Sequence, residues 1–314
     1  MKILLTGAAG FIGSHLAEKL LAAGNEVTGV DNFDKFYAAA IKHNNISIAL
    51  SSPLFRFIEA DLCDPLFWEG ISDKKFDLII HLAAKAGVRP SMIDPLEYTR
   101  VNVLGTTYLL EFARNKKIQK VIFASSSSVY GVNKDLPWSV DNKDLEPISV
   151  YAFSKKSGEE LCALYQKYFG LKIIGLRFFT VFGPRQRPDL AIHKFVKAIS
   201  EGGKVTLYGD GATFRDYTYI DDIVSGIMGA INYEADNFEL FNLGNTHTVS
   251  LISLVNIIED ILGKKANIEY LPPQPGDVPY TWSDIEKSRK LLGYEPKTSI
   301  REGIERFINW YKTI

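Results

Sequence analysis

The sequence is poor in cysteine and has no long apolar run, and both deficits limit the kind of protein it can encode. Only two of its 314 residues are cysteines, Cys63 and Cys162, and they form no CxxC pair. A disulfide scaffold or a cysteine-based zinc site is therefore not expected. No apolar run reaches the ~18 residues of a membrane span, and a strand predicted from Lys2 leaves no room for a signal peptide. We expect a cytoplasmic protein that does not contact membranes.

The chain also lacks a strong net charge and any pattern of metal ligands. Its 36 basic and 37 acidic side chains give a formal net charge of −1. This balance offers no electrostatic basis for binding nucleic acid or an anionic membrane. The five histidines show no metal-ligand spacing, so no metal site is expected. With 46% hydrophobic and 23% charged residues, the composition is that of a globular protein large enough for a sizeable core.

The first thirty-one residues carry a dinucleotide-binding pattern. An apolar strand at Lys2–Thr6 precedes the turn Gly7-Ala-Ala-Gly10-Phe-Ile-Gly13, a helix, and a second apolar strand that closes with Asp31. Glycines at these positions let backbone N–H groups and a helix N-terminus approach a pyrophosphate. Asp31 can accept both hydroxyls of an adenosine ribose and would repel a 2′-phosphate, so the pattern predicts NAD rather than NADP. The alternative is a tight turn with a purely structural role.

Strands and helices continue to alternate, which predicts an α/β fold with a doubly wound parallel sheet of the Rossmann type. Ligands of such sheets bind beyond the carboxyl ends of the strands. Three groups of residues follow predicted strands and are expected to line one crevice: Ala83 and Ala84, the serines at 125–128, and Phe179 with Thr180. A further strand ends near Asp61 and Leu62, a predicted adenine-edge position.

The character of the chain changes near Arg177, where a basic, proline-bounded loop and shorter elements follow. We expect residues 1–176 to form the NAD-binding domain, with a strand near 238–244 returning to its sheet. Residues 177–314 are expected to form mostly a smaller C-terminal substrate-binding lobe. The sequence has no internal repeat, low-complexity tract or long linker, so this lobe is expected to pack over the sheet edge.

Tyr151 and Lys155 lie four residues apart on a helix predicted over 151–169, which places both side chains on one face. An ammonium beside a phenol stabilises the phenolate and lowers a tyrosine pKa that is usually near 10. Such a tyrosine can take a proton from an alcohol near neutral pH. Alone, the spacing is more typical of a tyrosine at a helix start with a solvated lysine. The cofactor turn, the sheet edge and the serine run favour the catalytic interpretation.

With these motifs in chain order, the sequence resembles the extended short-chain dehydrogenase/reductase family, and within it the nucleotide-sugar epimerases, essentially from end to end. Closer matches to UDP-glucuronate 4-epimerases occur at Asp31-Asn32-Phe33 and at residues 86–91, 125–131 and 176–189. The resemblance implies a UDP-sugar as the ligand of the C-terminal lobe. It also implies a homodimer, since helices such as those predicted at roughly 96–115 and 150–169 form the dimer interface in relatives.

The resemblance also assigns catalytic roles. Tyr151 is expected to be the base on the sugar 4-hydroxyl, Lys155 its pKa partner and a ribose contact, and Ser126 the hydroxyl that relays or steadies the proton. Hydride would pass from C4 to the nicotinamide, and the 4-keto sugar would turn over and take it back on its other face. NAD is regenerated in each cycle and should stay bound. The expected cofactor contacts are Gly7, Gly10, Phe11, Ile12, Gly13, Asp31, Asn32, Asp61, Leu62, Leu82, Ala83, Ala84, Tyr151 and Lys155.

The serines after Ser126 argue against related reactions. Sugar 4,6-dehydratases carry an Asp-Glu pair where this chain has Ser127-Ser128, and glucuronate decarboxylases typically carry glutamate at the position of Ser128. Serine hydroxyls cannot serve as the acid and base of an elimination at neutral pH. Together with Thr180, these hydroxyls could hold a uronate carboxylate so that it resists loss of CO2, or could merely solvate a sugar hydroxyl. Thr180 replaces the asparagine usual in glucose/galactose epimerases, which favours the uronate.

Five residues are candidates for the remainder of the UDP-sugar. Arg215 could clamp the diphosphate, because guanidinium matches phosphate geometry, or could be an exposed charge on a turn. Asp277 resembles the uridine-ribose contact, and Tyr208 either faces the uracil or packs in the core. Arg185 could reach a phosphate or the sugar carboxylate. Arg89 is a similar candidate, and either arginine could simply be solvated.

The sequence thus predicts an NAD-dependent UDP-sugar 4-epimerase, with UDP-glucuronate and UDP-galacturonate as the expected pair. Three alternatives stay open: the same chemistry on UDP-glucose or UDP-N-acetylglucosamine, a net oxidoreductase or decarboxylase, and a non-catalytic protein that binds NAD or a nucleotide sugar. The joint presence of Ser126, Tyr151 and Lys155 argues against the last.

Overall fold

The structure, a computed structural model, describes residues 1–273 and 276–314. These residues form two units. The first unit comprises Met1–Val132, Lys143–Arg177 and Ile227–Phe241, and the second comprises Asn133–Asn142, Phe178–Gly226 and Asn242–Ile314. The proline-rich segment 272–277 is also expected to be a loop, and its residues 274 and 275 lie outside the described residues. That NAD binds residues 1–176 and the substrate binds mostly residues 177–314 stays a prediction.

Twelve strands are found in the described part of the chain. They are β1 (Lys2–Thr6), β2 (Glu26–Asp31), β3 (Phe55–Glu59), β4 (Leu78–His81), β5 (Lys120–Ser126), β6 (Lys172–Phe178), β7 (Thr180–Phe182), β8 (Lys204–Tyr208), β9 (Phe214–Tyr219), β10 (Glu239–Leu243), β11 (Thr248–Ser250) and β12 (Asn267–Leu271). The largest sheet has the order β10-β6-β5-β4-β1-β2-β3. Its β1–β2, β1–β4, β2–β3 and β4–β5 pairs are all parallel. The predicted α/β fold with a large parallel sheet is confirmed.

The helices alternate with these strands in the first half of the chain. They are α1 (Phe11–Ala22), α2 (Ala39–Leu50), α3 (Pro65–Gly70), α4 (Val88–Ile93), α5 (Pro95–Thr99), α6 (Gly105–Asn115), α7 (Val150–Phe169), α8 (Ala191–Glu201), α9 (Ile220–Asn232), α10 (Leu251–Leu262), α11 (Glu286–Leu292) and α12 (Ile300–Tyr311). A search of residues 1–273 and 276–314 found no helix long and apolar enough to cross a membrane.

The central strands are buried along most of their length. Every residue of β4 is buried, and Ile3, Leu4 and Leu5 of β1 are inaccessible to solvent. Continuous burial of this kind is typical of a parallel strand covered on both faces. The serines at 125–128 were predicted to follow a strand, but β5 extends to Ser126, so Ser125 and Ser126 belong to the strand itself.

The helix predicted over 96–115 is interrupted. The structure has α5, then a π-helical segment at Arg100–Leu104, then α6. Asn102 lies in the π-helical segment and is buried. Its side chain accepts from Lys85 N at 2.8 Å and donates to Lys85 O at 2.9 Å and to Ser154 Oγ at 2.9 Å. These tertiary bonds compensate for the wider turn, which hydrophobic periodicity does not reveal.

The second unit contains two small sheets. In one, β9 pairs with β7 in parallel and with β11 in antiparallel orientation; the other pairs β8 with β12. On α8, His193 packs edge-on against Phe307, Trp310 and Tyr311, and its Nδ1 lies 3.0 Å from Gln186 O. This histidine therefore has a packing role.

Candidate active site

Lys155 is held in the interior of the first unit by a backbone carbonyl. Its Nζ donates to Ala124 O at 2.7 Å and lies 5.3 Å from the centroid of the Phe123 ring. Only 5% of the residue is exposed. Burial lowers the pKa of Lys155 to about 8, because desolvation disfavours the ammonium. Lys155 is thus fixed one helical turn beyond Tyr151 and is not a solvated lysine.

Tyr151 lies in the first turn of α7. Ser149 caps this helix by accepting from Ala152 N at 3.1 Å, and Gly170 ends it in the left-handed conformation. The Tyr151 ring packs edge-on against Tyr98, with centroids 6.3 Å apart and an interplanar angle of 85°. Tyr98 is itself buried. The Tyr151 ring is therefore oriented by a neighbour, while the residue keeps partial access to solvent.

The four serines after Ala124 have different surroundings. Ser125 and Ser126 are buried at the end of β5, whereas Ser127 and Ser128 are half-buried in a 3-10 turn at Ser127–Tyr130. Ser126 Oγ caps this turn by accepting from Ser128 N at 3.2 Å, and it lies 3.1 Å from Ser128 Oγ. The end of the strand and the turn therefore present the hydroxyls of Ser126, Ser127 and Ser128 in succession.

No role was predicted for His81, yet its ring joins strand β4 to strand β1 and helix α6. Its Nδ1 lies 2.8 Å from Thr6 Oγ1, and its Nε2 lies 3.1 Å from Thr106 Oγ1. Burial lowers the pKa of His81 to about 3, so the ring is neutral. Thr6 Oγ1 also accepts from Ala83 N at 3.2 Å, which fixes the small-residue turn after β4. The only feature of the sequence that could have pointed to His81 is its position at the end of a predicted strand.

The described residues include no cluster of three His, Cys, Asp or Glu side chains suited to a metal ion.

The glycine turn fits the pyrophosphate of a dinucleotide. Gly7 has a φ of 71°, and a Cβ there would lie 2.7 Å from Ala83 N. A Cβ on Gly13 would lie 2.0 Å from Gly7 O, so only glycine allows this close packing of turn and helix. Gly10 precedes α1, and no described side chain caps the helix. Its first N–H groups therefore suit an anionic ligand.

Asp31 is bonded to that turn. Its Oδ2 accepts from Ala9 N at 3.2 Å and its Oδ1 accepts from Phe33 N at 2.9 Å. Burial raises the pKa of Asp31, while Lys42 and the two backbone donors oppose this effect. Because each carboxylate oxygen has further acceptor capacity, Asp31 suits the hydroxyls of a ribose.

The other predicted cofactor contacts occupy loops and helix starts around the sheet. Asp61 accepts from Cys63 N at 2.8 Å and from Arg100 Nη2 at 3.0 Å, so its carboxylate is already engaged. Asn32 Oδ1 accepts from Asp34 N at 3.0 Å. Phe11 and Leu62 are buried, and Ile12, Leu82, Ala83 and Ala84 are half-buried.

The predicted contacts to the substrate are distributed over both units. In the first unit, Arg89 is exposed on α4. In the second unit, Thr180 begins β7 and Tyr208 ends β8, both half-buried, and Asp277 is exposed. Arg185 has a φ of 64° and is half-buried.

Arg215 lies on strand β9 rather than on a turn, and its Nη1 donates to Phe214 O at 2.9 Å. The next residue, Asp216, had no predicted role and is inaccessible to solvent. Asp216 accepts from Ser283 Oγ at 2.5 Å, Asn245 N at 2.7 Å, Ser283 N at 3.1 Å, Thr218 Oγ1 at 3.2 Å and Thr246 N at 3.2 Å. Burial raises the pKa of Asp216, and these donors oppose that effect. Asp216 therefore anchors the strand that carries Arg215.

A family model described as GDP-mannose 4,6 dehydratase matches residues 4–307 of the chain. The chain belongs to this family. Its placement among the extended short-chain dehydrogenases/reductases, predicted from the sequence, is confirmed. The family takes its name from a dehydratase.

Individual relatives are similar over nearly their full length. A UDP-glucuronate 4-epimerase from Thermodesulfobacterium geofontis is 40% identical, covering 98% of this chain and 95% of that protein. The crystal structure of a UDP-glucuronic acid 4-epimerase from Bacillus cereus, in complex with UDP-glucuronic acid and NAD, is 39% identical with a TM-score of 0.93, covering 100% of this chain and 99% of that one. A UDP-glucose 4-epimerase from Thermotoga maritima with UDP-glucose is 31% identical with a TM-score of 0.92, with the same coverage. One fold thus serves relatives named for two sugars.

Proposed function

We propose that the protein is an NAD-dependent UDP-sugar 4-epimerase that interconverts UDP-glucuronate and UDP-galacturonate. One observation carries the proposal: Lys155 is locked onto the carbonyl of Ala124, one turn from Tyr151, and the strand continues directly into Ser126. The relatives named as UDP-glucuronate 4-epimerases support the same activity.

The first unit would hold the cofactor. The glycine turn and the start of α1 would receive the pyrophosphate, Asp31 the adenosine ribose, and Lys155 the nicotinamide ribose. When bound, NAD supplies a hydride acceptor and donor. The preference for NAD over NADP rests on the Asp31 carboxylate, which would repel a 2′-phosphate.

Proton movement is assigned to residues of this chain. Tyr151 would take the proton from the sugar 4-hydroxyl and return it after the hydride has added to the other face. With a pKa of about 8, Lys155 is mostly charged at neutral pH and would stabilise the phenolate of Tyr151. Ser126 would bond the reacting oxygen and relay or steady the proton.

The choice of a uronate rests on neutral hydroxyls. Ser127 and Ser128 follow Ser126 in the 3-10 turn, and Thr180 begins β7. We assign these three hydroxyls to the substrate carboxylate, because they would hold it without supplying the acid and base that elimination requires. Arg215, Tyr208 and Asp277 are assigned to the UDP moiety, and Arg185 and Arg89 each to a phosphate or the carboxylate.

A homodimer is part of the proposal. The first unit exposes large apolar side chains on two of its predicted interface helices: Leu96 on α5, and Phe153, Leu164 and Tyr168 on α7. Exposed apolar side chains on these helices favour association with a second copy of the chain. The free cysteines Cys63 and Cys162 are consistent with a reducing, cytoplasmic location.

The activity is tested by incubating the protein separately with UDP-glucuronate and UDP-glucose and reading the products by NMR. UDP-galacturonate is expected from UDP-glucuronate. A UDP-pentose would instead indicate a decarboxylase. Conversion of UDP-glucose to UDP-galactose, with UDP-glucuronate left unchanged, would overturn the uronate assignment. Tyr151→Phe should still bind the UDP-sugar, measured by calorimetry, but lose turnover.

A further inference from the structure

A buried chain of polar side chains continues from the proposed catalytic residues into the interior of the first unit. Ser125 Oγ donates to Glu159 Oε1 at 2.5 Å. Arg177 forks onto the same carboxylate, with Nε 2.8 Å from Oε1 and Nη2 2.8 Å from Oε2. The exposed fractions are 3% for Ser125, 5% for Glu159 and 1% for Arg177. None of these residues touches a group to which a reaction step has been assigned.

A contribution to stability does not by itself explain these buried polar side chains. Removing a carboxylate and a guanidinium from water costs free energy that their attraction does not reliably recover, and apolar replacements of such pairs are often neutral or stabilising. Arg177 Nη1 is also buried without a hydrogen-bond partner among the described residues. Burial alone would lower the pKa of Arg177, but the Glu159 carboxylate outweighs it and raises that pKa. The pair is therefore a costly arrangement that calls for a second role.

Hydrogen bonds from successive residues join strand β5 to helix α7. On α7, Tyr151, Lys155 and Glu159 occur at intervals of four residues and share one face. On β5, Ala124 accepts the Lys155 ammonium and Ser125 donates to Glu159. The end of the strand is thus bonded to the helix at two successive residues. These two bonds therefore resist a rotation that would move Ser126 relative to Tyr151.

The same ion pair reaches the other end of the serine run. The Arg177 guanidinium lies over the Tyr130 ring, 4.7 Å from its centroid. Tyr130 is buried and ends the 3-10 turn that contains Ser127 and Ser128. Glu159 therefore holds the residue before Ser126, and Arg177 supports the residue that ends the turn.

We propose that Glu159 and Arg177 are positioning residues for the epimerase reaction. They act through Ser125 and Tyr130 to fix the hydroxyls of Ser126, Ser127 and Ser128 relative to Tyr151. Because the guanidinium neutralises the carboxylate, Glu159 can hold Ser125 without drawing the Lys155 ammonium away from Ala124 O. This inference rests on the proposed function and adds two residues that sustain its geometry.

The decisive variant is Ser125→Ala, which removes the hydrogen bond that joins Glu159 to the serine run. We expect kcat for UDP-glucuronate to fall about tenfold or more, because Ser126 acts on the reacting oxygen. KM should change less than about twofold, because Arg177 still supports the turn that carries Ser127 and Ser128. Affinity for UDP-glucuronate, measured by calorimetry, should be retained.

A matched control is Ser288→Ala in the second unit. Ser288 is also fully buried, and its Oγ donates to Asn242 O at 2.6 Å. Its removal should lower the melting temperature with kcat unchanged. A tenfold loss of kcat in both variants would reduce Ser125 to a structural residue and overturn the inference.

The ion pair itself is tested with a double variant, since Arg177→Met alone leaves a buried carboxylate unpaired. Glu159→Gln/Arg177→Met removes both charges and keeps an amide oxygen as acceptor for Ser125. Adding Ser125→Ala to this variant should lower kcat further if the bond to residue 159 positions the strand. Equal kcat in the double and triple variants would contradict the inference.

The wild-type protein separates this inference from the proposed function. If it forms no UDP-galacturonate, the proposed function fails. If it does form UDP-galacturonate and Ser125→Ala has the wild-type kcat, only the positioning role fails.

Discussion

Two buried carboxylates, one in each unit, are compensated in opposite ways. Glu159 in the first unit meets a guanidinium fork and one serine hydroxyl. Asp216 in the second unit accepts five hydrogen bonds from neutral donors, three of which are backbone N–H groups. The first arrangement depends on one side chain that mutation can remove. The second is distributed over backbone groups that mutation cannot remove, so the two sites should fail differently.

The largest effect is expected from Arg177→Met. The substitution leaves Glu159 charged and unpaired in the interior, which should lower the free energy of unfolding by about 3–5 kcal/mol. Urea unfolding measures the loss. The Glu159→Gln/Arg177→Met variant should recover most of it, and a double variant as unstable as the single one would show that charge is not the cause.

A smaller loss is expected from Asp216→Asn. The amide NH2 would face backbone donors such as Asn245 N or Ser283 N, and an unsatisfied buried donor costs about 1–3 kcal/mol. Because Arg215 precedes Asp216 on β9, KM for UDP-glucuronate should rise more than kcat falls. Asp222→Asn is the matched control, since Asp222 accepts from Lys297 N at 3.0 Å and Thr298 N at 3.1 Å away from Arg215. It should lower stability without raising KM.

Acid should destabilise the protein through His81. The pKa of His81 falls from 6.5 to about 3 on burial, so between these values the unfolded chain binds more protons than the folded one. His81 therefore does not reduce the free energy of unfolding above pH 6.5, and it lowers that free energy progressively as the pH falls, by about 2 kcal/mol at pH 5. Asp216 has the opposite effect. Because its pKa is raised in the folded protein, its contribution to the free energy of unfolding falls as the pH rises above 3.8. Urea unfolding at pH 7 and pH 5 should show a smaller difference in His81→Asn than in the wild type.

The smallest effect is expected from Thr180→Ala. Loss of one of three proposed carboxylate contacts should reduce kcat/KM for UDP-glucuronate by roughly fivefold, since one neutral hydrogen bond contributes about 1 kcal/mol. Any turnover of UDP-glucose should change less. Equal losses on both sugars would remove Thr180 from the carboxylate site.

Features with a local cause could be predicted from the sequence. The β1–turn–α1–β2 unit follows from an apolar strand, glycines and an acid in close succession, and α7 follows from its periodicity, with Ser149 and Gly170 at its ends. Lys155 was correctly placed on the face of Tyr151, but its burial against Ala124 depends on a strand 31 residues away.

The rest depends on contacts between distant residues. Asp216 meets Ser283, 67 residues further along the chain, and His81 meets Thr6, 75 residues before it. No periodicity identifies such partners. Glu159 is the exception, because its spacing of four from Lys155 puts it on the face of α7 that carries Tyr151 and Lys155. Its partner Arg177, however, is identified only by the structure.

The π-helical segment at Arg100–Leu104 has a consequence for chain length. A π turn contains one residue more than an α turn, so this segment is equivalent to a single-residue insertion in an ordinary helix. Deleting any one of its residues would restore α-helical spacing and rotate everything before it by about 100° relative to α6. Tyr98 would then turn away from Tyr151. Asn102 apart, whose side chain bonds Lys85 and Ser154, the segment should tolerate substitutions far better than a one-codon deletion.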